Sequence, residues 1–175
     1  VRVFDFDDFS ETNHQLDRLE ELKRVNPAFR CTLFAVPGLG SNEFWESVPE
    51  WCELAVHGWT HADSYECSGW DHERVRALLR EPVVNRFFVR GFKAPGWQIS
   101  DACYDVLLEH GWWVADQHLE DHRRPPGLRT YFYEDGGWHG HIQDVCGNGI
   151  VETWPRLVQA VRAETDFRFA SELAK

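Results

Sequence analysis

Short apolar runs alternate along the whole chain with longer stretches in which apolar side chains recur every three or four residues. The first pattern suits strands buried on both faces and the second suits amphipathic helices, so the chain reads as repeated β-α units. Residues 1–6 form the first expected strand. Leu16, Leu19, Leu22 and Val25 follow at helical spacing, and Asn26-Pro27 closes that helix, because a residue before proline is pushed out of the helical region. Residues 31–36 make the second strand, stopped by Pro37-Gly38. Ser41 is placed to cap a short helix carrying Phe44, Trp45 and Val48, and residues 52–56 make the third strand. A helix is expected over 71–80 with Val75, Leu78 and Leu79 inward, and residues 90–93 end a strand before Pro95-Gly96. Ser100 caps a helix containing Ala102, Val106 and Leu107, and Gly111 stands where a left-handed C-terminal cap belongs. Residues 112–115 form another buried strand. The polar segment 117–127, with Pro125-Pro126, reads as a surface loop, and 128–133 and 138–142 as two late strands. Thr153 opens a last helix with Pro155 in its first turn and Leu157, Val158 and Val161 inward, before a short strand at 167–169. No internal repeat or low-complexity tail interrupts the pattern.

Repeated β-α units imply a mostly parallel sheet, and such sheets carry their chemistry at the carboxyl ends of the strands. Those ends hold Asp5, Asp7 and Asp8 after the first strand, His57 and His61 after the third, Lys93 and Pro95 after the fourth, Asp116 after the fifth, and His139 and His141 on a late strand.

Composition narrows the choice of partner. With 175 residues, 43% of them hydrophobic, the chain suits one domain spanning 1–175. Its 18 Lys+Arg against 29 Asp+Glu give a net charge of -11, which disfavours nucleic acid and anionic membrane surfaces. Nine Trp and twelve Phe are expected to serve mostly the core, with some left as flat faces for sugar rings. The five cysteines, Cys31, Cys52, Cys67, Cys103 and Cys146, are widely spaced and form no C-x-x-C pair, which fits a reducing compartment, and a cytoplasmic location is expected. No run approaches the roughly twenty apolar residues that span a bilayer. The chain starts directly in a strand and contains no Met, so an initiator or a processed leader is expected to lie outside it.

The most informative motif is His57-Gly58-Trp59-Thr60-His61, because two histidines four apart converge on one ion if the backbone makes a helical turn between them. Alone, that spacing fits solvated or core-paired histidines equally well. An acidic ligand from another strand end would complete a facial N,N,O set with open positions for water and substrate, and Asp7-Asp8 supplies one with a carboxylate to spare.

These residues resemble a known family. Phe6-Asp7-Asp8, the run 31–36, His57-Gly58-Trp59-Thr60-His61, Lys93-Ala94-Pro95-Gly96-Trp97 and the late His139/His141 strand fall in the order and rough spacing of the NodB-homology polysaccharide deacetylases, carbohydrate esterase family four. The resemblance implies an α/β fold, a distorted, incomplete (β/α) barrel with fewer than eight strands. It implies one divalent metal ion, zinc foremost, with cobalt, nickel or iron as alternatives, held by Asp8, His57 and His61. Asp7 becomes the base, Lys93 the cation steadying it, and either His139 or His141 the acid that protonates the leaving amine; the spacing to the last helix favours His141. The implied activity is hydrolytic deacetylation of N-acetylated sugars, with O-acetylated sugars and small amides as related substrates.

Three departures from the family pattern stand out. Phe9 occupies a usual glycine position, Lys93 that of an arginine, and the acidic motif with tryptophan survives only as Trp113 and Asp116, with Asp116 assigned to orient the acid histidine. Two other readings compete. One is a metal- or carbohydrate-binding module of the same fold with impaired catalysis. The other is a phosphatase using Asp5 or Asp7 as nucleophile, suggested by Val3-Phe4-Asp5-Phe6-Asp7-Asp8 but lacking support downstream. Trp59 and Trp97 lie inside the motifs and are candidates to flank a sugar ring or to pack in the core.

Overall fold

The computed structural model describes residues 2–118, 122–143 and 147–175. Cys146 and part of the expected 117–127 loop therefore lie outside the described residues. The alternating units appear as expected: strand β1 (Arg2–Phe9), helix α1 (Leu16–Val25), β2 (Cys31–Ala35), α2 (Asn42–Ser47), β3 (Cys52–His57), α3 (His72–Arg80), α4 (Pro82–Phe87), β4 (Gly91–Lys93), α5 (Asp101–Glu109), β5 (Trp113–Asp116), β6 (Thr130–Phe132), β7 (Trp138–His141), α6 (Trp154–Ala163), β8 (Phe167–Arg168) and α7 (Ala170–Leu173). The side chains of Ser41 and Ser100 accept the capping bonds from Phe44 N and Cys103 N, and Gly111 has the left-handed φ of 69° expected of it. Two short helices have no counterpart in the apolar pattern. Helix α4 begins at Pro82, whose fixed φ and missing N–H suit a first turn, and α7 is only four residues long.

All the strands are parallel, in the order β6-β5-β4-β3-β2-β1-β7, with β8 also on β1. The sheet thus has eight strands where fewer than eight were expected. Seven of them follow one path around it, and β8 stands off that path on Arg2–Val3 at the start of β1, whereas β7 pairs with Phe4–Asp7. Among the described residues no ladder joins β6 to β7, so the barrel is curled but open, the distorted, incomplete (β/α) barrel expected. Curling is visible in a bond across the interior, where the Tyr131 hydroxyl on β6 lies 3.4 Å from Asp5 Oδ2 on β1.

Period-two alternation sorts the side chains into two layers. Phe4, Phe6, Leu33, Leu54, Val56, Phe92 and Val114 face outward into the large core shared with the helices, while Val3, Phe34, Ala55, Trp113, Ala115 and Tyr131 form a smaller cluster inside the barrel. Parallel register carries the inner face across the sheet: Asp5 pairs with Thr32 and His139, Asp7 with His141, and His57 with Lys93. The inner face is therefore mostly apolar where the strands begin, with Thr32 and Glu53 as polar exceptions, and ionisable where they end.

Candidate functional site

In a regular strand, adjacent residues face opposite sides, so Asp7 and Asp8 could not enter one site. A β-bulge removes that restriction. Between Phe6↔Leu33 and Phe9↔Ala35 the first strand contains one residue more than its partner, and Asp8 takes a left-handed φ of 67°. Phe9, at the position where glycine was expected, is then free to point into the core and stack on Phe44.

His57 ends β3, and His61 reaches the same point by a route different from the expected helical turn. Gly58 and His61 both have left-handed φ, and the Glu66 carboxylate accepts hydrogen bonds from the backbone N–H groups of Trp59, Thr60 and His61 at 3.1, 3.1 and 2.9 Å. A β-carbon at position 58 would collide with Glu66 Oε2. The loop is thus a nest folded around one carboxylate. Glu66 carries no sequence signal that ties it to the motif.

Asp8, His57 and His61 each offer a ligand atom to one small volume, all within 4.8 Å of one another. His61 Nε2 lies 3.0 Å and His57 Nε2 3.5 Å from Asp8 Oδ1. That oxygen is buried yet accepts no well-aligned hydrogen bond, while Gln143 Nε2 donates to Asp8 Oδ2 at 2.8 Å. His57 Nδ1 lies 2.9 Å from the Lys93 carbonyl, which can only accept, so the proton sits on Nδ1 and the Nε2 lone pair faces Asp8. Lone pairs aimed at a buried carboxylate oxygen are the donor set of a divalent cation. Burial pushes the Asp8 carboxyl up, but contacts with His57 and His61 outweigh it and hold the pKa well below the usual range; the same closeness raises His61, through Asp8 first. A bound cation would supply that positive charge in place of a proton.

Asp7 is 4% exposed and turned to the inner side of this trio, its Oδ2 3.8 Å from His57 Nε2. Lys93 is no surface lysine: at 1% exposure, its Nζ donates to Asp7 Oδ1 at 2.7 Å, lies 3.6 Å from Asp5 Oδ1, and sits over the rings of Trp97 and Phe34. Burial raises the Asp7 carboxyl, yet Lys93, then His57, His139 and His141, bring it below its ordinary value. Asp7 is therefore held as a carboxylate.

Both late histidines turn Nε2 toward Asp7 Oδ2, at 3.9 Å from His139 and 4.0 Å from His141. Their orienting partners differ from expectation. His139 Nδ1 donates to Asp5 Oδ1 at 2.7 Å, and His141 Nδ1 lies 2.7 Å from Asn148 Oδ1. Asp116 orients neither. It accepts instead from the Tyr104 hydroxyl (2.8 Å), His122 Nδ1 (2.6 Å) and Arg124 (2.8 Å), so His122, given no role in the sequence, belongs to a buried network at the end of β5. Asp5, a candidate nucleophile in the phosphatase reading, is fully buried and occupied by His139 and Tyr131, which leaves no open face for attack.

The site opens through a cleft of about 200 Å³ lined in part by Asp8, Asn13, Leu39, Thr60, His61 and Gln143. A larger cavity of about 520 Å³ runs along the open side of the barrel past Val3, Leu128, Tyr131 and Leu173 and is lined by none of Asp7, Asp8, His57, His61, His139 and His141, so size does not mark the chemistry here. Trp97 stacks on Tyr133 with ring centroids 5.3 Å apart and stands edge-on to His139, forming an aromatic wall beside the late histidines. Trp59 is half-buried and packs against the core.

No family model matches the chain, and no curated protein matches it either. Solved structures do. The chain is similar to the Xyl-CE4 domain of a multidomain xylanase from the hindgut metagenome of Trinervitermes trinervoides, at 19% identity and a TM-score of 0.62, covering 98% of this chain and 87% of that one. It is similar to a family 4 acetyl xylan esterase from Clostridium thermocellum in complex with a cobalt ion, at 14% identity and a TM-score of 0.64, covering 98% and 88%. A third match is the peptidoglycan N-acetylglucosamine deacetylase Bc1960, at 12% identity and a TM-score of 0.65, covering 98% and 86%. At these identities the likeness shows the fold, that of the family 4 carbohydrate deacetylases.

Proposed function

We propose that this chain, which carries the fold of the family 4 deacetylases, is a metal-dependent hydrolase removing acetyl groups from N-acetylated sugars, with O-acetylated sugars as related substrates. The observation that carries the reading is the convergence of Asp8 Oδ1, His57 Nε2 and His61 Nε2 beside a second carboxylate locked by a buried ammonium. Asp8, His57 and His61 would hold one divalent ion; zinc fits the nitrogen-rich set, and cobalt, nickel and iron are alternatives, cobalt having been found in the xylan esterase of the same fold. When bound, such an ion supplies Lewis-acid polarisation of a carbonyl and favours deprotonation of water near neutral pH.

The remaining chemistry belongs to the chain's own residues. Asp7, kept ionised by Lys93, accepts the proton of the attacking water on Oδ2, the oxygen not engaged by the ammonium. A late histidine, His139 or His141, takes up a proton at Nε2 and delivers it to the leaving nitrogen from the far side of Asp7. The Asp5 carboxylate and the Asn148 side chain fix the ring orientations of these two histidines. Trp97 and Tyr133 offer a flat apolar face for a sugar ring, and the net charge of -11 favours neutral or cationic glycans over polyanions.

Elemental analysis of the purified protein, followed by acetate release from acetylated sugars with that metal restored, tests the reading. Asp7→Asn should retain the ion and lose roughly 10²–10⁴-fold in rate, the usual contribution of a positioned base. An Asp7→Asn variant as active as the parent would overturn Asp7 as the base, and a parent inert on acetylated sugars and aryl acetates at full metal loading would favour the impaired binding module.

A further inference from the structure

We infer that Asp7, His139 and His141 form a second, weaker divalent-cation site, whose occupation withdraws the base and the acid and so inhibits the enzyme when metal is in excess. This rests on the reading of Asp8, His57 and His61 as the first metal site and of Asp7 as the base. Asp7 Oδ2, His139 Nε2 and His141 Nε2 come within 4.8 Å of one another from neighbouring strands, in the same two-nitrogen, one-oxygen pattern as the first trio.

What distinguishes this cluster from a chance gathering is that the other side of every ligand is already committed. His139 Nδ1 donates to the buried Asp5 carboxylate, His141 Nδ1 to Asn148 Oδ1, and Asp7 Oδ1 accepts from Lys93. Each imidazole therefore carries its proton on Nδ1 and turns a lone pair inward, the outer-shell arrangement that orients metal-ligating histidines. The inward atoms do not satisfy one another: 3.9 and 4.0 Å exceed the roughly 3.2 Å limit of a good hydrogen bond. Ligand atoms bound at about 2.0–2.2 Å stand roughly 3–3.5 Å apart. A closure of about half an ångström would thus bring each histidine to ligand spacing from Asp7 Oδ2.

Two features make this site the weaker one. The Lys93 ammonium is 2.7 Å from Asp7 Oδ1 and 3.2 Å from His139 Nδ1, so its charge opposes a second cation, only partly offset by Asp5. The two trios also touch, with His57 Nε2 3.8 Å from Asp7 Oδ2 and His141 Nε2 4.0 Å from Asp8 Oδ2, so the two ions would repel at a separation of roughly 4 Å. The first site fills first. Once the second fills, the Asp7 and histidine lone pairs are ligand bonds and can neither take nor return a proton.

The test is a zinc titration of the full chain, stripped with chelator, read by calorimetry and by equilibrium dialysis with elemental analysis. The expected result is two ions per chain, the second bound at least about tenfold more weakly than the first, with acetate release rising to one equivalent and falling at least about tenfold as the second site saturates. His139→Ala and the milder His139→Gln should keep the tight ion and lose the weak one, and His141→Gln should do the same. One ion per chain in the parent, or two in the His139 and His141 variants, overturns the second site while leaving the first intact. Loss of the tight ion in these variants, or its persistence in Asp8→Ala, instead strikes at the reading of the first trio.

Discussion

Lys93 shows how one residue can serve both stability and chemistry. Its ammonium is removed from water, and the carboxylates of Asp7 and Asp5 and the faces of Trp97 and Phe34 offset that cost. Lys93→Met removes the charge and keeps much of the volume, leaving two buried carboxylates facing each other, and is expected to destabilise the metal-free protein by about 3–5 kcal/mol. The pH dependence fixes the cause. In the parent, Asp7 titrates below its ordinary value, so its contribution is present above about pH 4 and fades as acid protonates it. In the variant, burial acts without its main opponent and the carboxyl titrates above its ordinary value, so the penalty is full at neutral pH and shrinks toward pH 4. Urea midpoints of parent and variant in chelator, compared at pH 7 and pH 4, should therefore converge on acidification. A gap of constant size would mean that lost packing, not the unpaired carboxylates, is responsible.

At the scale of elements, the strand ends were readable because alternation and parallel register are properties of the pattern itself. Asp5, Asp7, His57, Lys93, His139 and His141 occupy inward positions of their strands, so identifying the strands was enough to gather them. What escaped the sequence depended on departures from regular geometry. The bulge that brings Asp8 beside Asp7 depends on one extra residue and a left-handed φ, neither of which Phe6-Asp7-Asp8-Phe9 announces by composition. Asp116 follows Val114 onto the outward face of its strand, so its partners are Tyr104 on the neighbouring helix and His122, six residues on, and not the late histidines. Glu66 was equally invisible, being one of 29 acidic residues until the loop after β3 (Cys52–His57) wraps its three N–H groups around the carboxylate. Its importance is checkable. Glu66→Ala leaves those N–H groups without their acceptor and frees His61 from its strained backbone, so tight zinc binding is expected to weaken about 10- to 100-fold. The outward core and the near-UV spectrum should be unchanged, and an affinity equal to the parent's would show that the loop holds its shape without the carboxylate.

The whole molecule is a barrel closed in different ways at its two ends. Where the strands begin, α7 (Ala170–Leu173) plugs the interior: Ala170 and Ala174 join the inner cluster, Ala170 N donates to Thr32, and the Lys175 backbone pairs with Thr130 on β6 (Thr130–Phe132). The polar groups at that end satisfy each other, with Glu53 accepting from Thr32 and Ser171. Where the strands end, Asp7, Asp8, His57 and Lys93 are buried together, and their like charges and opposed lone pairs suit a cation. Burial of ionisable groups at that rim costs stability that a ligand of the folded state alone can restore. Because the trio assembles from β1 (Arg2–Phe9) and the loop after β3, an unfolded chain cannot reproduce it, and binding is linked directly to folding. With free zinc at about a thousand times its dissociation constant, the linkage amounts to about 4 kcal/mol. For a domain of this size, that corresponds to a rise in melting temperature of roughly 8–16 °C. Scanning calorimetry of the stripped protein against protein with one equivalent of zinc measures the rise, and Asp8→Ala should melt at the same temperature with and without metal. A parent whose melting temperature ignores chelator would mean that the rim is held together by its own hydrogen bonds, with His61 protonated against Asp8 in place of a cation.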